Sequence, residues 1–511
     1  MRIPSPTATA VMTTIEQFFN LLDLPADNEN YRPEFQEEAL ASEYASLLPK
    51  ELNRLTFDRV NLHIISAVLE LLFTLFAPLI CMLMALLLGY RLSTHGDSLK
   101  RTRRSNKWVI TLLLYVVLRY VFVHLGYRPE HVLTPGLYYN ENSIEAKKIV
   151  DAWDEQSRSY EKFSYNFSLS FSENSANFFN SSPTLLDNGD SLTLIPFVLN
   201  KHKEIDYTRR WVKLEDGESV ALDCSFPSTG HSFEEPLFLF LHGLNGGSNE
   251  EYVKDGVFAR NHQGSTVCVM IARGLMGTPV VGENFFHGAR VSDVHETAKQ
   301  LRKAVGKRQK LIGSGFSMGA IILNNYFASY SEGNLFDAAI TFSGSLNSLA
   351  NLNNERSMRL WQPFLADELR NNFLFPFEKK FKLRLTDEEF EKARAARDIT
   401  TFDRYGIVIF NGYSSIEDYY REMSAAGDWD EIKKSSAKLE SISKPLCVVY
   451  ANDDPIVNND GLLDPRAIVE ANDNMFFLIT ARGGHVAWPL GTMSSKWMWM
   501  SRVMGTFVEA L

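Results

Sequence analysis

The chain has 511 residues, of which 45% are hydrophobic, and a formal charge of −10. That is enough apolar side chain to bury a full α/β core and still leave a separate N-terminal region. The acidic balance argues against nucleic acid as a partner, and four cysteines, Cys81, Cys224, Cys268 and Cys447, form no disulfide framework and read as reduced packing residues.

Residues 1–60 carry ten acidic and five basic side chains and form an acidic N-terminal region. Its first thirty residues lack the basic start and short apolar core of a cleavable signal peptide. A membrane region follows over 61–126. Ile64 to Gly89 is interrupted only by Glu70 and milder polar residues, and is long enough to cross a hydrocarbon core of about 30 Å. It reads as a transmembrane anchor over 64–89. Tyr90 to Lys107 holds six Lys or Arg against one Asp, so the basic loop 90–107 belongs in the cytosol, where anionic lipid attracts it. Trp108 to Leu125 is a second apolar run with Arg119 inside it, and central burial of that charge costs about 2.5 to 3.5 kcal/mol. The run 108–125 is a second span, an interfacial helix or a docking face. With one span the remainder of the chain is cytosolic, and with two it is lumenal or extracellular. The expectation is an integral membrane protein of the endomembrane system, with that side left open.

Residues 127–200 read as linker and lead-in. Within them 164–192 are rich in Ser, Asn and Phe and contain the sequons Asn166-Phe167-Ser168 and Asn180-Ser181-Ser182. A catalytic domain is predicted over 201–511. It opens with an antiparallel hairpin, Arg210 to Leu214 and Val220 to Cys224, joined through Asp216-Gly217. Leu237 to Leu241 reads as a buried strand running into the Gly-rich turn His242-Gly243-Leu244-Asn245-Gly246-Gly247-Ser248, with His242 structural. Strand-like and helix-like stretches then alternate: Thr266 to Ala272, a helix over Val294 to Val305, a strand ending near Gly313, Ala338 to Gly344, Pro445 to Tyr450 and Met475 to Thr480. This pattern predicts an α/β fold with a mostly parallel sheet. Between about 350 and 434 the alternation stops in favour of helix-rich sequence with Trp361, Phe364, Phe373, Phe375 and Phe377. This insert reads as a lid whose aromatics either line an apolar pocket or pack the insert onto the core.

Chemistry is signalled by Gly315-Phe316-Ser317-Met318-Gly319, between a strand and a helical pattern. A serine on a tight strand-to-helix turn is forced into a strained conformation that lifts its hydroxyl above the sheet, and small flanks are a steric requirement of the turn. Gly313-Ser314-Gly315-Phe316-Ser317-Met318 is no dinucleotide fingerprint, because methionine stands where its third glycine belongs. An acid and a histidine follow in the order such a fold needs. Asp453-Asp454-Pro455 ends one strand, and the loop Gly483-Gly484-His485 follows the next. Ser317 is the candidate nucleophile and His485 the general base, since an imidazole of ordinary pKa, about 6.5, works at neutral pH. Asp454 is preferred to Asp453 as the residue orienting the base, because it lies three residues after the small Ala451 and directly before Pro455. The backbone N–H groups of Leu244 and Met318 are the candidate oxyanion-hole donors.

Taken in order, His242-Gly243-Leu244 with Gly246-Gly247-Ser248, Arg273-Gly274 with Gly277-Thr278-Pro279, the Ser317 turn, Asp418-Tyr419-Tyr420 with Ser424, Asp453-Asp454-Pro455 and Gly483-Gly484-His485 resemble the α/β-hydrolase group. That group contains animal abhydrolase-domain lipid hydrolases, their bacterial esterase relatives and the fungal ethyl-ester synthases. The resemblance covers about residues 200 to 505 and implies an α/β-hydrolase fold with a helical lid and a lipid or ester substrate. Ala320, where a glycine is common, and Phe285-Phe286-His287-Gly288 depart from the pattern. The expectation is a membrane-anchored serine hydrolase of carboxylic, lipid-type esters. An acyltransferase using the same acyl-serine is the first alternative, and a catalytically silent membrane scaffold or lipid-binding protein the second. No cofactor is expected, and no metal, since Lys299 stands where a zinc motif starting at His295-Glu296 needs its second histidine.

Overall fold

The computed structural model describes residues 8–25, 83, 132–161, 189–199, 201–282, 284–489 and 499–511. The predicted spans 64–89 and 108–125, the basic loop between them and the two sequons lie outside the described residues, apart from Leu83. Among the described residues no helix is long and apolar enough to cross a membrane.

Five-residue runs such as Leu237–Leu241 and Val267–Ile271 are apolar throughout, the mark of strands covered on both faces. They belong to a sheet of nine strands among the described residues: β1 (Gly136–Tyr138), β2 (Thr208–Lys213), β3 (Ser219–Ser225), β4 (Leu237–Leu241), β5 (Val267–Ile271), β6 (Leu311–Phe316), β7 (Ala338–Phe342), β8 (Leu446–Ala451) and β9 (Met475–Thr480). Their order is β1-β9-β8-β7-β6-β4-β5-β3-β2. The six strands from β9 to β5 run parallel. The predicted hairpin is β2 and β3, paired from Thr208↔Cys224 to Lys213↔Ser219, and β3 joins β5 antiparallel. Across that pair Cys224 and Cys268 meet as free thiols, their Sγ atoms 2.8 Å apart.

Alternation along the strands assigns side chains to the two faces. Leu237, Leu239 and Leu241 point into one core, and Phe238 and Phe240 into the other. The first core is closed by α1 (Ala8–Leu22), α5 (Ser292–Val305) and α6 (Met318–Tyr330). Val294, Ala298, Leu301 and Val305 form the single buried stripe that a helical period of 3.6 demands of α5. The second core is closed by α2 (Ile144–Glu161), α4 (Glu251–His262) and α8 (Trp499–Ala510). There the Trp153 indole N–H donates to Thr506 Oγ1 at 2.9 Å. Two further helices, α3 (Gly189–Leu199) and α7 (Pro465–Ala471), lie at the strand ends and beside β9. From Ser348 to Met423 the chain forms short helical pieces around a third cluster, in which Phe285 meets the rings of Phe373, Phe377, Phe381 and Phe410 at centroid distances of 4.6 to 5.4 Å.

Parts of the N-terminal half are built into this body. Helix α1 buries Phe18 completely, with the Phe226 ring at 5.7 Å and His231 at 4.4 Å. Arg210 lies 3.8 Å over the Phe19 ring, and Trp211 N–H donates to Pro25 O. The stretch read as linker supplies β1, α2 and α3, which the surrounding core and loops hold in place. Deleting a fully buried phenyl ring costs about 3 to 5 kcal/mol. Phe18→Ala is therefore expected to lower the urea midpoint of the full chain markedly, read by tryptophan fluorescence, and an unchanged midpoint would mean that α1 does not hold the domain together.

Candidate active site

Strand β6 ends at Phe316, and the chain turns into α6 through Ser317, whose φ of 53° lies in the region that non-glycine residues avoid. The turn is held by Ser317 N–H donating to Phe342 O at 2.9 Å. A Cβ on Gly315 would stand 2.5 Å from Gly319 O, and one on Gly319 would stand 2.2 Å from Leu241 O. Both neighbours are backbone, so the two glycines are sterically compelled. Ala320 fits because Gly344 faces it; a Cβ there would lie 2.5 Å from the alanine methyl.

His485 Nε2 lies 2.8 Å from Ser317 Oγ, and His485 Nδ1 lies 2.8 and 3.0 Å from the two carboxylate oxygens of Asp454. Asp454 is fully buried, and its Oδ1 also accepts the N–H groups of Ile456 and Val457 at 2.9 and 3.0 Å. A carboxylate so placed receives Nδ1–H and leaves Nε2 free to accept the serine proton. Asp453 points elsewhere. Its Oδ1 accepts Gly483 N–H at 2.8 Å and Gly484 N–H at 2.9 Å, and its Oδ2 is buried with no hydrogen-bond partner among the described residues. Burial pushes its carboxyl up to about 7. The histidine loop is fastened at two more points. Thr193 Oγ1 accepts His485 N–H at 2.8 Å, and Ser343 Oγ accepts Val486 N–H at 2.9 Å. Nothing in the sequence marked these two hydroxyls, because an isolated Thr or Ser carries no positional signal.

The turn after β4 lies against Ser317: a Cβ on Gly243 would be 3.4 Å from Ser317 Cβ. Tyr252 Oη accepts Gly243 N–H at 2.9 Å, which fixes the turn. His242 is buried and held neutral, its pKa lowered by burial. Because Ala272 N–H donates to its Nε2, its Nδ1 carries the hydrogen and donates to Gly243 O at 2.7 Å. Leu244 and Met318 both line the cavity above Ser317, and neither N–H has a hydrogen-bond partner among the described residues. For Met318 the reason is general, since the first N–H groups of a helix have no acceptor within it.

The cavity has a volume of about 540 Å³ and a mostly apolar lining that includes Leu194, Phe197, Ile321, Trp361, Phe364 and Ile456. Of the five lid aromatics, Trp361 and Phe364 therefore face the cavity, while Phe373, Phe375 and Phe377 pack the insert onto the body. One polar intruder is Asp403, at the start of a π-helical turn, which receives the Tyr420 hydroxyl at 3.0 Å. Burial pushes its carboxyl up to about 7, against the opposing pull of that hydrogen bond. Other family-like segments tie the lid and loops down. Tyr419 Oη accepts Gly288 N–H, and the buried Arg273 pairs with Asp293 and Asp216. Among the described residues no group of three or more His, Cys, Asp or Glu stands where it could hold a metal ion.

Sheet order, elbow and cavity define an α/β-type hydrolase architecture. Residues 236–491 match the family described as the alpha/beta hydrolase fold, and the chain belongs to that family. It is 28% identical over 284 residues to a monoacylglycerol lipase of Saccharomyces cerevisiae, a match covering 53% of this chain and 59% of that protein. With phospholipase ABHD3 of Mus musculus the identity is 24% over 327 residues, 62% of this chain and 75% of the other. With the putative esterase YheT of Escherichia coli it is 25% over 329 residues, 62% and 90% of the two chains. Among solved structures, the Pyrococcus furiosus esterase Pf2001 aligns with a TM-score of 0.35 and 15% identity, over 55% of this chain and 84% of that one.

Asp403 makes stability depend on pH. Its folded pKa of about 7 exceeds the unfolded value of about 4, so its contribution is whole below about pH 4 and is lost as pH rises toward 7. Asp403→Asn should flatten the fall of melting temperature between those limits, measured by calorimetry against the parent. An identical slope in both proteins would rule out a buried, neutral Asp403.

Proposed function

We propose that the chain is a membrane-anchored hydrolase of lipid-type carboxylic esters, acylglycerol, phospholipid or other fatty-acyl esters, working through Ser317, His485 and Asp454. The chain is a serine-type ester hydrolase. The observation that carries the reading is the continuous line from Ser317 Oγ through the His485 ring to Asp454 at the floor of a large apolar cavity. Ser317 Oγ attacks the ester carbonyl while His485 Nε2 takes its proton. The negative charge gathering on the carbonyl oxygen is met by the N–H groups of Leu244 and Met318. The tetrahedral adduct collapses, and the alcohol leaves with the proton from Nε2. Water, deprotonated by the same nitrogen, then attacks the acyl-serine, and the carboxylic acid departs as Ser317 recovers its hydrogen. Asp454 holds the ring's tautomer and stabilises the imidazolium in both halves. The apolar lining suits an acyl chain, and relatives named lipase, phospholipase and esterase support the substrate class.

The test is a fluorophosphonate probe followed by ester hydrolysis. Ser317→Ala should abolish labelling, and Asp454→Asn should lower kcat by about 10⁴-fold, the scale of losing the correct imidazole tautomer. Labelling of Ser317→Ala at the parental rate would refute the nucleophile.

The apolar runs 64–89 and 108–125 supply the anchor in this reading, and the docked α1 supports two crossings over one. Residues 8–25 precede both runs, yet they pack on the same body as the described residues from 132 onward. A chain that leaves a body on one side of a bilayer and returns to it crosses an even number of times. With the basic loop 90–107 cytosolic, the catalytic domain faces the lumen of an endomembrane compartment and both sequons lie on that side. Leu133 pairs with the Asn452 side chain, next to Asp453 and Asp454. It lies only eight residue steps from Leu125, about 28 Å at full extension, so the membrane stays close to the strand ends that bear the site. In sealed vesicles, tags at both termini should resist protease while a tag within 90–107 is cut. Termini on opposite sides would overturn the two-crossing topology.

A further inference from the structure

Helix α3 lies upstream of the residues that match the family, 236–491, yet it reaches the centre of the site. Gly189 packs so closely on the strand end after β8 that a Cβ there would stand 1.7 Å from Asp453 O. One turn on, Thr193 Oγ1 donates to Gly189 O at 2.6 Å and accepts His485 N–H at 2.8 Å. Gly484, in the left-handed region at φ 65°, is pressed against the same threonine, since a Cβ would meet Thr193 Oγ1 at 2.7 Å and Thr193 N at 2.8 Å. The opposite side of the loop is held by Asp453 and Ser343. The helix itself is fixed to the lid. Buried Asp190 receives Arg356 Nη1 at 3.1 Å and the Trp361 indole N–H at 2.7 Å, and Leu194 packs against Leu360 and Trp361.

We propose that Thr193 is a positioning residue of the hydrolase, and that α3 is a strap which holds the His485 loop against the lid and so completes the site from outside the family's core. The proposal rests on the reading of Ser317, His485 and Asp454 as the reacting set. Thr193 touches no reacting atom; it acts by fixing the backbone of the base. Its hydroxyl is well suited to this, because it is spent twice within the helix and loop and has no freedom to turn away. Displacement of a catalytic group by about 1 Å costs on the order of a hundredfold in rate, so a loosened loop is expected to show in turnover and less in substrate capture.

The experiment compares full-length Thr193→Val and Thr193→Ser with the parent, each normalised to the number of active sites titrated by a fluorophosphonate. Valine keeps the branched shape and removes both hydrogen bonds; serine keeps the hydroxyl. For Thr193→Val the expected result is a kcat per titrated site lower by about tenfold to a hundredfold, KM within about threefold of the parent, and an altered acid limb in the pH profile of kcat/KM, the side on which the general base is protonated. Thr193→Ser should recover most of the rate. If Thr193→Val has fewer titratable sites but a parental rate per site, the residue serves folding alone and the proposal fails. It fails equally if serine is as slow as valine while both melt at the parental temperature. Should Thr193→Val not fold, the Thr193→Ser and Thr193→Ala pair decides by the same per-site rates. Failure of the reacting set itself is distinguishable, because Ser317→Ala would then label like the parent whatever stands at position 193.

Discussion

The strained turn at Ser317 is the constraint around which the rest of the structure is arranged. A serine at φ 53° between a parallel strand and a helix is tolerable only where the neighbouring backbone over-determines it. Here the enforcing contacts come from Leu241 and His242 on one side and Gly344 beyond β7 on the other. The parallel sheet supplies the stiffness: β4, β6 and β7 lie side by side, so the three loops that crowd the serine leave from adjacent strand ends. The same edge delivers Asp454 from β8 and His485 from β9. Sheet order, more than any single contact, brings residues so far apart in the chain within hydrogen-bond reach.

The loop carrying His485 shows a different kind of order. Residues 483 to 486 have no regular secondary structure of their own, and their N–H groups are satisfied by three side chains from three places: Asp453 after β8, Thr193 from α3 and Ser343 after β7. Buried backbone donors need such partners. Providing them from separate elements makes the loop's position depend on the whole upper face, lid included, through Asp190, Arg356 and Trp361.

Much of this was legible because the physics leaves marks in residue type. Buried parallel strands must be apolar on both faces, so β4, β5, β8 and β9 stand out as runs. A serine turn that admits no Cβ on either flank must show glycine at 315 and 319. The neighbouring acids were harder: Asp453 and Asp454 sit at one strand end, and the direction of each carboxyl depends on the turn through Pro455 and the amides it meets. β1, at three residues, is too short for any period to be seen. α3 lies next to a Ser-, Asn- and Phe-rich stretch, and its helix is defined by what it packs on. α1 falls in the stretch read only as an acidic N-terminal region, and its helix too is defined by what it packs on. Lid aromatics look alike in sequence, yet Trp361 and Phe364 border the cavity while Phe373 and Phe377 surround Phe285.

The burial of Phe18 against Phe226 also bears on how the molecule is made. During synthesis α1 emerges well before its partners, which follow only about two hundred residues later, after every segment between them has been extruded. Until then the helix carries a bare apolar stripe, with loop-closure entropy delaying its rescue. Nascent chains therefore pass through a long interval in which the N-terminus is committed to a surface that does not yet exist. The exposed stripe is open to non-native contacts for the whole of that interval.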